Sequence, residues 1–177
     1  ALGGGSRGCS WDVSALGLRG HSAAELASSL DRPELGDDAG AFRKGLQEAS
    51  LKPDIVIITA GTVDLSRGHE PDAIFENIRM LHEACHTLDI PTIALAPLPS
   101  RQRLSDIDRK CLLGKLEKWS HATPGVVALA NPAELVPPAV GAHFYDNDGL
   151  HLTPAGAERL GSGVALILSI VSEWLGG

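Results

Sequence analysis

Three short apolar runs, each stopped by glycine or proline, set the strongest limit on what this chain can fold into. Asp54-Ile-Val-Ile-Ile-Thr-Ala60 stops at Gly61, Pro91-Thr-Ile-Ala-Leu-Ala96 at Pro97, and Gly125-Val-Val-Ala-Leu-Ala130 at Asn131-Pro132. Continuous apolar runs of this kind fit strands buried on both faces of a parallel sheet. Helical segments separate them: 22–30 and 39–50 before the first, 71–88 before the second, 105–119 before the third. Within 71–88, Ile74, Ile78, Leu81, Cys85 and Leu88 form one stripe at helical spacing. A last helix opens with Thr153 as N-cap and Pro154 at the first helical position, and is expected to run to about Trp174. A weaker strand candidate spans Trp11 to Leu18. Alternating strands and helices imply an α/β fold with helices on both faces. Functional residues then belong on loops at the carboxyl ends of the strands. Those loops are 17–22, 61–68 and 97–103, with the segment 143–153 just ahead of the last helix.

Length and charge narrow the class. At 177 residues the chain is expected to form one domain, residues 1–177, with 1–10 a flexible or truncated start. Fifteen Lys+Arg against 22 Asp+Glu give a net charge of -7, and no basic run offsets it, which argues against a nucleic-acid or anionic-membrane partner. No uninterrupted apolar run reaches the ~18 residues of a membrane span. A soluble chain is therefore expected, with no signal peptide or transmembrane segment in it and no compartment indicated. Ala1 opens the chain and Met80 is its sole methionine, so the start is read as processed, trimmed or truncated. Cys9, Cys85 and Cys111 are odd in number and lack C-x-x-C spacing, so they are read as small buried hydrophobes.

The segment Asp146-Asn-Asp148-Gly-Leu-His151-Leu-Thr-Pro154 is the richest in chemistry. An Asp and a His three residues apart on a tight turn can set a carboxylate beside an imidazole. The carboxylate fixes the tautomer and leaves the other ring nitrogen as a general base. A solvated turn before a helix is the plain alternative. Two further segments follow the strand candidates: Gly17-Leu-Arg-Gly20-His21-Ser22 and Gly61-Thr62-Val63-Asp64.

Taken in order, Gly-Leu-Arg-Gly-His-Ser, Asp-Ile-Val-Ile-Ile-Thr-Ala-Gly-Thr-Val-Asp-Leu and Asp-Gly-Leu-His-Leu-Thr-Pro-Ala-Gly resemble the SGNH (GDSL) hydrolase family, from about Trp11 to the C-terminus. That family holds esterases, lipases, acyl-thioesterases and carbohydrate deacetylases. The resemblance implies a flavodoxin-like three-layer α/β/α sandwich and hydrolysis of acyl or acetyl esters through an acyl-serine intermediate. It implies a small-molecule ester substrate and no metal or organic cofactor. By position, His151 matches the base, Asp148 its orienting acid, and Gly20 an oxyanion-hole glycine.

Two positions depart from the family pattern. Val63 stands where the family has its oxyanion Asn, and losing one such donor costs roughly 10²–10³ in rate. The Gly-Asp-Ser nucleophile block is absent; Ser6 in Gly3-Gly-Gly-Ser-Arg-Gly8 is a poor substitute, with only five residues ahead of it. Ser22 and Ser66 are read as a helix N-cap and a loop hydrogen-bonding group. The family's first strand is then expected to be missing. In the order 2-1-3-4-5 it would lie between the Trp11 and Asp54 strands. Its loss should leave the Trp11 strand paired directly with the Asp54 strand or loosely held. Weak or absent hydrolase activity is expected, as in a pseudoenzyme or fragment. One alternative is a non-catalytic homologue that binds an acyl or sugar ligand.

A second alternative is a zinc hydrolase, because His82-Glu83-Ala84-Cys85-His86 matches H-E-x-x-H. No third ligand follows at a recognisable spacing, and a partly exposed helix flank is the plainer reading of His82 and His86. His21 borders the cleft or the surface; His69, His121 and His143 are scattered. Arg101 and Arg103 could border the cleft and hold an anionic substrate group, against solvated charge as the alternative. The apolar stretch 164–171 is expected to pack on the sheet rather than enter a membrane.

Overall fold

The computed structural model describes residues 11–15, 17, 20–30, 46, 52–99, 103–138 and 142–175. Outside these lie Ser6, Cys9, Arg101 and, apart from the helical Leu46, the helix expected at 39–50. The three apolar runs form β1 (Val56–Thr59), β2 (Thr92–Leu95) and β3 (Val126–Ala130), all parallel in the order β1-β2-β3. Val56 stands opposite Thr92, and Thr92 opposite Val126, with a register shift between Thr92 and Ile93. The described helices are α1 (Ala23–Ser29), α2 (Thr62–Ser66), α3 (Pro71–His86), α4 (Arg103–Ala122), α5 (Pro132–Leu135) and α6 (Pro154–Leu175). A 3₁₀ turn covers Ala142–Phe144.

The alternation of side chains along each strand divides the core into two faces. On one, Ala96 joins Ala23, Leu65, Ile74, Ile78, Leu112 and Leu116, which places α1 to α4 there. On the other, Ile93 meets Leu168 and Val171 of α6. Helices thus lie on both sides of the sheet, an α/β/α sandwich. The stripe expected on α3 is the buried one: Ile74, Ile78, Leu81 and Cys85 are within 3% of full burial.

Two expectations need correction, and one helix bears on a third. Trp11 to Leu18 forms no strand at its described residues, 11–15 and 17. Trp11 packs against the Ile93, Leu168 and Val171 cluster, but Val13 is 74% exposed, so a single anchor replaces the burial a strand requires. His82 is not on an exposed flank. α3 is covered by β2 on one side and α4 on the other, so His82 is fully buried and His86 half-buried. Its ring lies edge-on to Trp119 of α4, with centroids 5.0 Å apart. Finally, Pro154–Glu173, 20 residues, is long and apolar enough to cross a membrane, because its polar residues are few although they interrupt the run. That alone does not establish a span, and Leu168 and Val171 are used against Ile93.

Candidate active site

The segment ahead of α6 folds back on itself as a closed turn. Tyr145 and Leu152 form an antiparallel bridge at its base. Above the bridge, Asp146 N–H donates to His151 O (2.8 Å) and Gly149 N–H to Asp146 O (2.9 Å). Gly149 takes a φ of 68°, the left-handed region open to glycine. Below it, the buried Tyr145 donates its hydroxyl to Val136 O at 2.8 Å. Thr153 donates its hydroxyl to His143 O (2.8 Å) and accepts from Gly156 N–H (3.2 Å), so the residue that caps α6 also ties it to the turn.

This turn brings the two expected residues together. Asp148 Oδ2 lies 2.5 Å from His151 Nδ1, while Oδ1 accepts from the N–H groups of Leu150 (2.9 Å) and His151 (3.0 Å). The carboxylate is held on one oxygen by two backbone donors and on the other by the imidazole. Chief among its effects, the His151 bond draws the Asp148 pKa down to about 2, with the two backbone donors adding to it. Asp148 is therefore an anion at any pH above that value, and the exposed His151 ring turns its other nitrogen away from the carboxylate. A carboxylate–imidazole couple of this kind can take a proton from a hydroxyl and hand it on.

The Gly20 and Gly61 loops meet at the carboxyl end of β1. Gly61, with φ 98°, starts α2; a Cβ there would stand 2.9 Å from Ile74 Cγ2 and 3.3 Å from Pro97 Cγ, so only glycine fits. Ser22 caps α1 in a reciprocal box with Glu25. The two loops are joined by polar contacts with no counterpart in local sequence pattern: Ala23 N–H donates to Asp64 Oδ2 (2.7 Å), and Arg67 Nη2 donates to Gly20 O (3.3 Å). Asp64 is 1% exposed, and its Oδ1 faces His69 Nδ1 at 3.4 Å. Ser66 Oγ donates to Val63 O (2.7 Å), the loop role expected of it. The only advance signal for Asp64 was its place in the Gly-x-x-Asp segment, and Arg67 had none.

The remaining candidates lie as follows. His21 is half-buried beside Ser22. His143 is exposed and its ring lies tilted by 52° against that of Phe144, with centroids 4.0 Å apart. Arg103 is the first residue of α4. Cys85 is buried, and burial pushes its thiol up to about 12, whereas Cys111 is exposed, against the expectation that it is a buried hydrophobe. His82 Nδ1 and His86 Nε2 both address Thr92 Oγ1, at 2.7 and 3.0 Å. No group of three metal-ligating side chains occurs among the described residues, so the zinc alternative finds no ligand set there.

A family profile described as the GDSL-like lipase/acylhydrolase family matches residues 6–159. Comparison with the curated proteins finds no match. Among solved structures, the chain is similar to an acetyl esterase mutant with acetate ion at 19% identity and a TM-score of 0.66, covering 88% of this chain and 70% of that one. It is also similar to a carbohydrate esterase family 3 protein from Talaromyces cellulolyticus (19% identity, TM-score 0.65, 87% and 69% covered). A GDSL-like lipase from Bacteroides thetaiotaomicron gives 19% identity, a TM-score of 0.65, and 86% and 73% covered. These likenesses agree with the α/β/α sandwich, and the profile spans most of the chain. The chain belongs to the GDSL-like lipase/acylhydrolase family.

Proposed function

We propose that the chain acts on carboxylic esters of small molecules, acyl or acetyl, with His151 as general base, Asp148 as its orienter and the Gly20 N–H as an oxyanion donor. The observation that carries this reading is the Asp148–His151 couple, whose carboxylate is fixed by three donors on a closed turn. In the reaction, His151 takes the proton of a serine hydroxyl as its oxygen attacks the ester carbonyl. The proton then passes to the departing alkoxide, and water repeats the sequence to free the acid. Asp148 holds the imidazole through Nδ1 and stabilises the imidazolium. The nucleophilic serine is left unassigned, since Ser6 lies outside the described residues.

Val63 supplies no side-chain donor to the developing oxyanion, so turnover is slow by the family's measure, by roughly 10²–10³ for one missing donor. The same substitution favours a second reading, a cleft that binds an acyl or sugar ligand without turning it over. Hydrolysis of p-nitrophenyl acetate separates them. A slow rate that falls by about 10²–10⁴ in His151→Ala supports the esterase; a rate unmoved by that change, or saturable binding with no turnover, supports the second reading. Stoichiometric serine labelling by a fluorophosphonate, lost in His151→Ala, would show full rather than impaired chemistry.

A further inference from the structure

With Val63 unable to donate, the proposed function relies on the backbone N–H of Gly20, and a backbone donor is effective only if it is held in place. Gly20 takes a φ of 77°, yet a Cβ built on it would meet none of the described residues within 4 Å. Its conformation is therefore left-handed without being fixed by packing among the described residues. What holds it is polar and comes from the neighbouring loop.

Arg67 is the centre of that hold. Its Nη2 donates to Gly20 O at 3.3 Å, and its Nη1 lies 3.4 Å from both carboxylate oxygens of Glu25. Glu25 in turn accepts from Ser22 N–H (2.6 Å) and Ser22 Oγ (2.9 Å). Those Ser22 bonds, backbone first, with Arg67 adding to them, draw the Glu25 carboxyl down to about 2, so it is charged wherever Arg67 meets it in ordinary buffer. One step further, buried Asp64 fixes Ala23 N–H at 2.7 Å. The backbone from Gly20 to Ala23 is thus pinned at a carbonyl and at two N–H groups. All the anchors lead to α2 or to the first turn of α1.

We propose that Arg67, with Asp64, is a positioning residue for the Gly20 amide, holding it as a preorganised oxyanion donor where Val63 supplies none. The proposal rests on reading Gly20 as that donor, and its test separates the two. The full chain, labelled with ¹⁵N, is titrated with acetate, whose carboxylate stands in for the oxyanion, while the Gly20 amide resonance is followed. In the unsubstituted chain acetate moves that resonance. Arg67→Met weakens acetate binding about ten-fold, the size expected for losing a charged hydrogen bond. It also broadens the Gly20 signal while the core amides of Ile74 and Ile93 keep theirs. Arg67→Lys, which still places a cation near the Gly20 carbonyl, recovers most of the affinity; a structural role alone would show no such rescue. Asp64→Asn, with an acceptor still present, is expected to fall between the two. If Arg67→Met binds acetate as tightly as the unsubstituted chain, the positioning role is overturned and Gly20 stays a donor. If acetate leaves Gly20 unmoved in every variant while His151-dependent ester hydrolysis is measured, the proposal and the Gly20 assignment fall and the esterase reading stands.

Discussion

At the level of single residues, the proposed site combines one well-built part with one deficient part. Asp148 and His151 are set by bonds within a turn of their own, so their geometry does not depend on distant packing. Asp148→Asn removes the anion and lets the amide donate to Nδ1, which favours the wrong tautomer. Ester hydrolysis is expected to fall by about 10²–10⁴, much as for loss of the base itself, with the melting temperature little changed because the residue is exposed. Val63, on that proposal, is the deficient part. Val63→Asn introduces an amide at the start of α2, where Asp64 and Arg67 already tie the loop. If a missing oxyanion donor limits the rate, kcat rises by roughly 10²–10³ with KM little changed. No increase would mean that the deficiency lies with the nucleophile.

At the level of elements, the placement of the Asp148–His151 turn depends on one glycine. Gly156, in the first turn of α6, lies so close to the 3₁₀ turn that a Cβ would come 2.1 Å from Phe144 O, a backbone atom that cannot swing aside. Gly156→Ala must push 142–144 away from α6 and break the Thr153 bonds to Phe144 O (3.0 Å) and His143 O (2.8 Å). A loss of about 1–3 kcal/mol in denaturant unfolding is expected, together with reduced hydrolysis; an unchanged midpoint would show that the turn is not braced there. This contact also marks what sequence could and could not reveal. β1 to β3, α3 and α6 were legible because buried strands are uniformly apolar and an amphipathic helix repeats its stripe over several turns. α2, α5 and the 3₁₀ turn, of 5, 4 and 3 residues, are too short to carry a period. Asp148 and His151 were legible because they are three residues apart. Asp64 to Ala23 and Arg67 to Gly20 were not, since 41 and 47 residues of chain separate the partners and only the fold brings them together.

For the molecule as a whole, the buried His82 makes stability a function of pH. The imidazole sits between α3, β2 and Trp119, with Nδ1 on the Thr92 hydroxyl and Nε2 buried without a hydrogen-bond partner. Protonating it would bury a cation whose second N–H has no acceptor, beside a second imidazole, His86, that shares the same hydroxyl. Burial, with the nearby His86 adding to it, accordingly pushes the His82 pKa from 6.5 down to about 3. The unfolded chain therefore takes up a proton below about pH 6.5 that the folded chain refuses until about pH 3. Stability from this residue is complete above 6.5 and is lost as the pH falls through that window, at up to ~1.4 kcal/mol per pH unit. Urea unfolding at pH 7 and pH 5 isolates the effect if His82→Gln is measured beside the unsubstituted chain. The variant has no proton to gain, so between these two pH values the unsubstituted chain should lose ~2 kcal/mol more than the variant does. The variant itself starts lower at pH 7, because a buried amide cannot fill the place of the ring. Only the difference in slope tests the assignment: two chains that weaken in parallel would mean that His82 reaches water, and that α3 and α4 do not close over it as described.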